Sequence, residues 1–260
     1  MAIYADHPFA LIPTPSSNKH KDPTLGKPDL FDSLASDMAL AHNMLIRALN
    51  SIYLQAPHIT TPSDEKAFCR YILTFHRFLH IHHTNEESDF FPSLETMAGE
   101  KGVMDVNVQQ HQAFEKGVKE FREYVEGVSS GKERYDGERV VSMIDVFGGL
   151  LVKHLTEEIG TLEALRRFGE ERMGQVMRKA DQEAERSMRE MGLSGIAWAW
   201  SHIDTQFEDG LWASWPPAPA PVKFLTSTML WRVYGSMVKF GACDKHGNMK
   251  PLFAVPKDGS

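Results

Sequence analysis

Four stretches of this chain repeat apolar residues at helical spacing, and each carries a histidine on its apolar stripe. No other feature constrains the fold as strongly. In the first stretch, from about Leu30, the stripe is Met38, His42, Leu45, Leu49 and Ile52, at steps of 4, 3, 4 and 3. Residues so spaced share one face of an α-helix. The stripe stops before Pro57, and Thr60-Thr61-Pro62-Ser63 is a loop with a helix cap expected at Ser63. The second stretch, about Asp64 to Ala98, runs through Phe68, Ile72, Phe75, Leu79, His82 and Glu86 until Gly99 and Gly102 break it. The third, about Met104 to Val128, carries Val108, His111, Phe114, Val118, Phe121 and Val125. The fourth, about Glu138 to Phe168, carries Ile144, Phe147, Leu151, His154, Glu158, Leu162 and Leu165. Four long amphipathic helices with short or medium connections predict an all-α chain. Its centre is an antiparallel up-down four-helix bundle over residues 29–168.

The flanks read differently. Residues 1–28 are rich in Pro, Ser, Thr and Lys, show no period, and are expected as a flexible arm. Residues 169–260 are expected as one extra helix, Glu170–Met191, followed by an irregular extension packed on the bundle. All five tryptophans (Trp198, Trp200, Trp212, Trp215 and Trp231) fall in that extension. Leaving them in water would forgo roughly 1.5–3 kcal/mol per large side chain, so they should dock. The prolines between Trp215 and Pro221 exclude a helix beyond its first turn, and a short helix is expected at about Thr226–Lys239. The run Trp198–Trp215 reads either as a wall over a pocket at the open end of the bundle or as plain docking.

Composition narrows the function. The net charge of −7 and the lack of any Lys/Arg block argue against nucleic acid as a partner. The longest apolar run, near Val146–Val152, is far too short to span a membrane. The first residues lack the basic-then-apolar pattern of a secretory signal. Cys69 and Cys243 are the only cysteines, so a reducing, cytoplasmic setting is expected.

The chemistry lies on the stripes. His82 and His154 are each followed four residues later by a glutamate, Glu86 and Glu158. On a helix such a pair stands on one face and can aim its lone pairs at one point. A lone histidine on an apolar face is usually a hydrogen-bonded core residue. A glutamate there is harder to dismiss, because an unpaired buried carboxylate costs several kcal/mol and calls for a cation. Imidazoles and carboxylates suit iron, while manganese and zinc accept the same donors. Helix two carries a second stripe, His76, His80, His83 and Glu87, one residue out of register. The His82 stripe fits the core period better. His83 and Glu87 would then lie behind the ligands or at an interface, and His76 and His80 at the bundle edge. In the tail, His202, Asp204, Glu208 and His246 have no ligand-like spacing and read as solvated or hydrogen-bonded loop residues.

The segment His82-His83-Thr84-Asn85-Glu86-Glu87-Ser88-Asp89-Phe90-Phe91-Pro92 resembles the signature of hemerythrin-like (HHE cation-binding) domains. His154-Leu155-Thr156-Glu157-Glu158 resembles the fourth-helix motif, and His42-Asn43 and Gln110-His111-Gln112 match the single histidines of helices one and three. With the Trp/Pro-rich tail, the wording is most similar to fungal members. The resemblance covers about residues 30–168. It implies a non-haem di-iron site with His42, His82, Glu86, His111, His154 and Glu158 as ligands. The oxygen carriers of the family have two histidines on helix three, and here Asn107 stands at the first position. Asn107 or Glu115 substitutes, or one iron position is open to water, O2 or substrate. The fourth-helix carboxylate also follows its histidine by four residues instead of the carriers' five.

The expected function is therefore O2 binding and activation at a two-iron centre, as an oxidase or oxygenase acting on a small organic molecule. The alternatives are a non-catalytic O2 or NO binder, an iron store or sensor, and a metal staple for folding. Oligomeric state has no signal in the sequence.

Overall fold

A computed structural model describes residues 2–171 and 173–256, apart from the side chains of Met173 and Glu183. The elements are α1 (Pro15–Lys21), α2 (Leu30–Gln55), α3 (Pro62–Asn85), α4 (Phe91–Ala98), α5 (Asp105–Ser129), α6 (Gly137–Ala164), α7 (Met173–Trp200) and α8 (Ala220–Leu225). Among the described residues there is no strand, only an isolated bridge between Cys243 and Met249. The bundle is made by α2, α3, α5 and α6. Helix α6 packs on α2 and α5, and α3 closes the ring against both of these. The core is drawn from the expected stripes: Leu45, Leu49 and Ile52, Phe68, Ile72 and Phe75, Phe114 and Phe121, Ile144, Phe147 and Leu151 are all buried.

Helix ends follow local chemistry. Asp29 caps α2 in a two-way box with Asp32, and Asp136 caps α6 through the Arg139 N–H. The cap of α3 is Thr61, which accepts from the Asp64 N–H, and not Ser63. The reason is Pro62, whose fixed φ suits the first helical position and pushes the cap one residue upstream. A Cβ on Gly137 would lie 2.2 Å from the Ala56 carbonyl oxygen, so only glycine lets α6 start against the turn after α2.

The second predicted helix is interrupted. Glu86–Phe90 is a π-helical turn in which the Phe91 N–H reaches back to the Glu86 carbonyl. Pro92, one residue further, has no N–H and would clash with a carbonyl four residues back in a continuous α-helix. The wider turn sits immediately upstream of that conflict and places Glu86 at its first residue.

The termini depart from expectation. The N-terminal segment is a packed strap along α2, with Ala5, Ile12, Thr14, Ser16 and Ser17 buried. Two buried asparagines of α2 hold it. Asn43 accepts from the Ile12 N–H (2.8 Å) and donates to the Ile12 carbonyl (2.9 Å). Asn50 accepts from the Phe9 N–H (2.9 Å) and donates to the carbonyls of Phe9 (2.8 Å) and Ala5 (3.2 Å). Polar composition alone hides such pairing, because the partners lie far away in sequence. Downstream, Gly192 adopts φ 63° and breaks α7, but residues 193–200 resume as helix, burying Ala197 and Trp198. Helix α8 begins at Ala220 with Pro221 in its first turn, and helical turns continue to Val238. Trp212 and Trp215 face Leu40, Met44 and Arg47 of α2. At about 100° per residue, Leu40 and Met44 point away from His42, so these tryptophans dock on the outside of the bundle and do not roof its centre.

Asn50→Ala would leave up to three strap backbone groups unpaired. The expected cost is about 2 kcal/mol, read as a lower urea midpoint with the helical circular dichroism of the native state unchanged.

Candidate metal centre

Seven side chains converge inside the bundle. Helix α2 brings His42, α3 brings His82 and His83 with Glu86 at the start of the π turn, α5 brings His111, and α6 brings His154 and Glu158. They form two groups able to hold an ion: His42, His82 and Glu86, and His83, Glu86, His111 and His154. Within each group the ligating atoms lie within 4.8 Å of one another. Glu86 belongs to both. Its Oε1 is 3.1 Å from His82 Nε2 and its Oε2 is 3.6 Å from His111 Nε2. Glu158 also faces both sides, its Oε2 lying 3.5 Å from His42 Nε2 and 3.6 Å from His154 Nε2. Two carboxylates thus stand between two clusters of imidazoles.

The imidazoles are aimed by their rear nitrogens. His42 Nδ1 is 2.7 Å from the Leu155 carbonyl, His111 Nδ1 is 2.6 Å from Glu87 Oε1, and His154 Nδ1 is 3.1 Å from Gln110 Oε1. Each partner accepts, so each Nδ1 carries the proton and each Nε2 presents a lone pair to the centre. In front, His42 Nε2 and His82 Nε2 are 3.0 Å apart, and His111 Nε2 and His154 Nε2 are 2.9 Å apart. Two ligand nitrogens at right angles about one ion, each at about 2.1 Å, would be separated by about 3 Å.

The unpaired atoms make the stronger test. All four carboxylate oxygens of Glu86 and Glu158, and His83 Nε2, are buried without a hydrogen-bond partner among the described residues. Burial pushes the Glu158 carboxyl up to about 8. Burial, and then Glu158 and Glu87 nearby, hold Glu86 well above the carboxylate range. Burial first, and neighbouring histidines second, depress His42 to about 3 and His154 to about 2, so both are neutral ligands at neutral pH. Cations held between these groups would satisfy the unpaired atoms, and the imidazole and carboxylate donors fit them.

The structure brings His42, His82, Glu86, His111, His154 and Glu158 together, and it adds His83. No choice between the two registers of α3 is needed. Glu86 is four residues after His82 and three after His83, and both spacings share a face. Because α3 sits in a corner of the bundle, His82 turns toward α2 while His83 stacks on His111 at 4.1 Å. His83 stands in the group around His111. Glu115 is exposed on α5 and does not. Asn107 is 1% exposed, and neither of its amide atoms has a partner among the described residues. Glu87 is 45% exposed and stands behind His111. His80 is exposed, whereas His76 is buried against Phe121 and not at the bundle edge, since it lies two turns from His83 on the same face. Gln110 and the Leu155 carbonyl were invisible as orienting groups. Their only sequence signal is proximity to His111 and His154.

Two outcomes are expected. Glu86→Ala should lose bound metal from both halves, at least tenfold in affinity, while Glu115→Ala should leave the metal content unchanged by elemental analysis. Stripping the metal should also lower the melting temperature more at pH 8 than at pH 6. Glu158 is raised in the folded apoprotein, so its favourable neutral form is complete below about 4.5 and is lost as pH rises through about 8. With a cation bound, the ionised form is the stable one.

A model of the hemerythrin HHE cation-binding domain matches residues 33–165. The "Dimeric xanthone biosynthesis cluster protein R11" of Cryptosporiopsis sp. (strain 8999) is 33% identical over 227 residues, covering 86% of this chain and 84% of that one. No solved structure gives a significant match. With just over half of its length matched by the family, and its two carboxylates shared between clusters of imidazoles, the chain belongs to the hemerythrin HHE cation-binding family.

Proposed function

We propose that the chain holds two iron ions between α2, α3, α5 and α6 and uses O2 to oxidise a small organic molecule. The observation that carries this is Glu86, a buried carboxylate with one oxygen toward each histidine group. Iron bound there would supply redox chemistry toward O2, and manganese or zinc would fit the same donors.

The residues divide the work. The Nδ1 hydrogen bonds of His42, His111 and His154 fix lone-pair direction before any ion arrives. Glu87 connects His111 to solvent and holds the imidazole proton at Nδ1. The group around His111 offers three imidazoles and the group around His42 offers two. An ion on the His42 side would therefore have fewer protein ligands than one on the His111 side. Asn107, one turn from His111 and with its amide unpaired, is placed to hydrogen-bond a polar ligand.

Catalysis is favoured over carriage by what lies outside the bundle. The relative matches over 227 residues, well beyond residues 33–165, so at least part of the extension is shared with it. Its name places it in a xanthone biosynthesis cluster, which supports a small aromatic molecule as substrate here. The buried free thiols of Cys69 and Cys243 fit a reducing cytoplasm. No helix among the described residues is long and apolar enough to cross a membrane.

The test is to load the protein anaerobically with two equivalents of ferrous iron and then mix it with O2. The expected result is irreversible oxidation of the iron, with O2 consumed repeatedly when ascorbate is supplied. A coloured adduct that releases O2 intact under argon would overturn the enzyme reading in favour of a carrier.

A further inference from the structure

The bundle does not account for a second buried polar pair, where the C-terminal extension meets α3. Tyr71 is fully buried, and its hydroxyl lies 2.6 Å from His202 Nε2. His202 is fully buried too, and its Nδ1 lies 2.8 Å from the Trp198 carbonyl. A carbonyl only accepts, so Nδ1 carries the hydrogen and Nε2 must be the bare lone pair. The Tyr71 hydroxyl is therefore the donor, aimed at a base held in one tautomer.

An unbroken line of rings leads from this pair to the metal centre. The Tyr71 and Trp198 centroids are 6.3 Å apart, Trp198 and Phe78 5.4 Å, and Phe78 and His82 6.5 Å. His82 is a member of the first ligand group. Trp198 is fully buried, and its indole N–H has no acceptor among the described residues. These are four aromatic side chains on two elements, α3 and the C-terminal end of α7.

We propose that Tyr71 is a redox-active tyrosine, with His202 as its proton acceptor and Trp198 and Phe78 as its electronic link to the centre. This rests on the reading that iron at the centre is oxidised by O2. Tyr71 gives up one electron, which passes through Trp198 and across Phe78 to the O2-oxidised centre and reduces it by one equivalent. The phenol proton moves to His202 Nε2 in the same event, leaving a neutral tyrosyl radical beside an imidazolium. An external one-electron donor, with return of the proton, restores the pair.

The parts suit their roles. Trp198 has nowhere to send its indole proton, so it relays the hole and does not keep it. Tyr71 has His202, so the hole comes to rest there. Burial, with the charges of Arg47 and Lys250, holds His202 at about 3 despite its bond to the Trp198 carbonyl, so its Nε2 carries no proton at neutral pH. A phenol radical cation is a far stronger acid than a buried imidazolium, so the transfer still runs downhill. Placed away from the ligands and out of solvent, the pair drains oxidising equivalents from the centre when no substrate is there to use them.

The experiment is electron paramagnetic resonance on iron-loaded full-length protein, frozen at intervals after mixing with O2. A tyrosyl signal is expected, narrowed when the protein carries ring-deuterated tyrosine. It should fall at least tenfold in Tyr71→Phe, lose its hydrogen-bond signature in His202→Gln, and form at least tenfold more slowly in Trp198→Leu. Iron content and helical circular dichroism confirm that each variant folds. Iron oxidation without a tyrosyl signal, or an undiminished signal in Tyr71→Phe, overturns the proposal. If the iron does not react with O2, the proposed function fails and a second arm decides. Metal-free protein is then oxidised by a photogenerated ruthenium tris-bipyridyl oxidant. A radical lost in Tyr71→Phe and altered in His202→Gln supports the pair, and no Tyr71-dependent radical overturns it.

Discussion

The burial of two carboxylates among imidazoles is the constraint on which the molecule turns. Glu86 and Glu158 sit at 3% and 0% exposure with no hydrogen bond to any of their four oxygens among the described residues. A bundle of this size could have filled that layer with leucine and been more stable empty. Keeping two acids there makes the fold answer to a cation. Much of the surrounding structure serves to aim imidazoles at that layer or to keep water from it: the Leu155 carbonyl, Gln110 and Glu87 do the first, and the aromatic rings of Phe91 and Phe114 beside His111 do the second.

The helices and their inward faces were legible because a 3.6-residue period leaves a direct mark on sequence. His42, His82, Glu86, His111, His154 and Glu158 stood on those stripes, and the structure brings them to one place. His83 escaped the same logic for a geometric reason. A stripe assumes that a helix has one partner, and α3 meets α2 on one side and α5 on the other. Consecutive residues can then both point inward, and a single period cannot report two faces. The π turn was also hidden, since the buried Glu86, Phe90 and Leu94 keep a four-residue spacing across it, although Pro92 was a visible cue. The strap was misjudged because its partners, Asn43 and Asn50, hydrogen-bond backbone and so leave no trace in the strap's own side chains.

The extension shows how irregular chain can be held as firmly as helix. Glu208 adopts a left-handed backbone (φ 51°), as does Asp209 (φ 60°), a conformation that costs of order 1–3 kcal/mol each outside glycine. The Glu208 carboxylate offsets this by accepting from the Thr14 N–H, the Thr14 hydroxyl and the Trp212 indole N–H. One side chain thereby ties the first residues of the chain to the last third of it. The same extension delivers His202 and Trp198 to α3, so its packing and its proposed chemistry are inseparable.

The π turn at Glu86–Phe90 carries a consequence for how such a site can change over time. A π turn is an α-helix with one residue inserted, so losing any single residue there would merge α3 and α4 into one continuous α-helix. The wide turn already absorbs the extra residue, so α4 would keep its facing, and His82 and His83 would stay in place. Pro92 would then lie inside a continuous α-helix, where its missing N–H and its ring oppose the α-helical path. A one-codon deletion would therefore set the turn that begins at Glu86 against Pro92 without touching a histidine ligand, which makes the length of this segment as heritable a determinant of the site as the identity of its histidines.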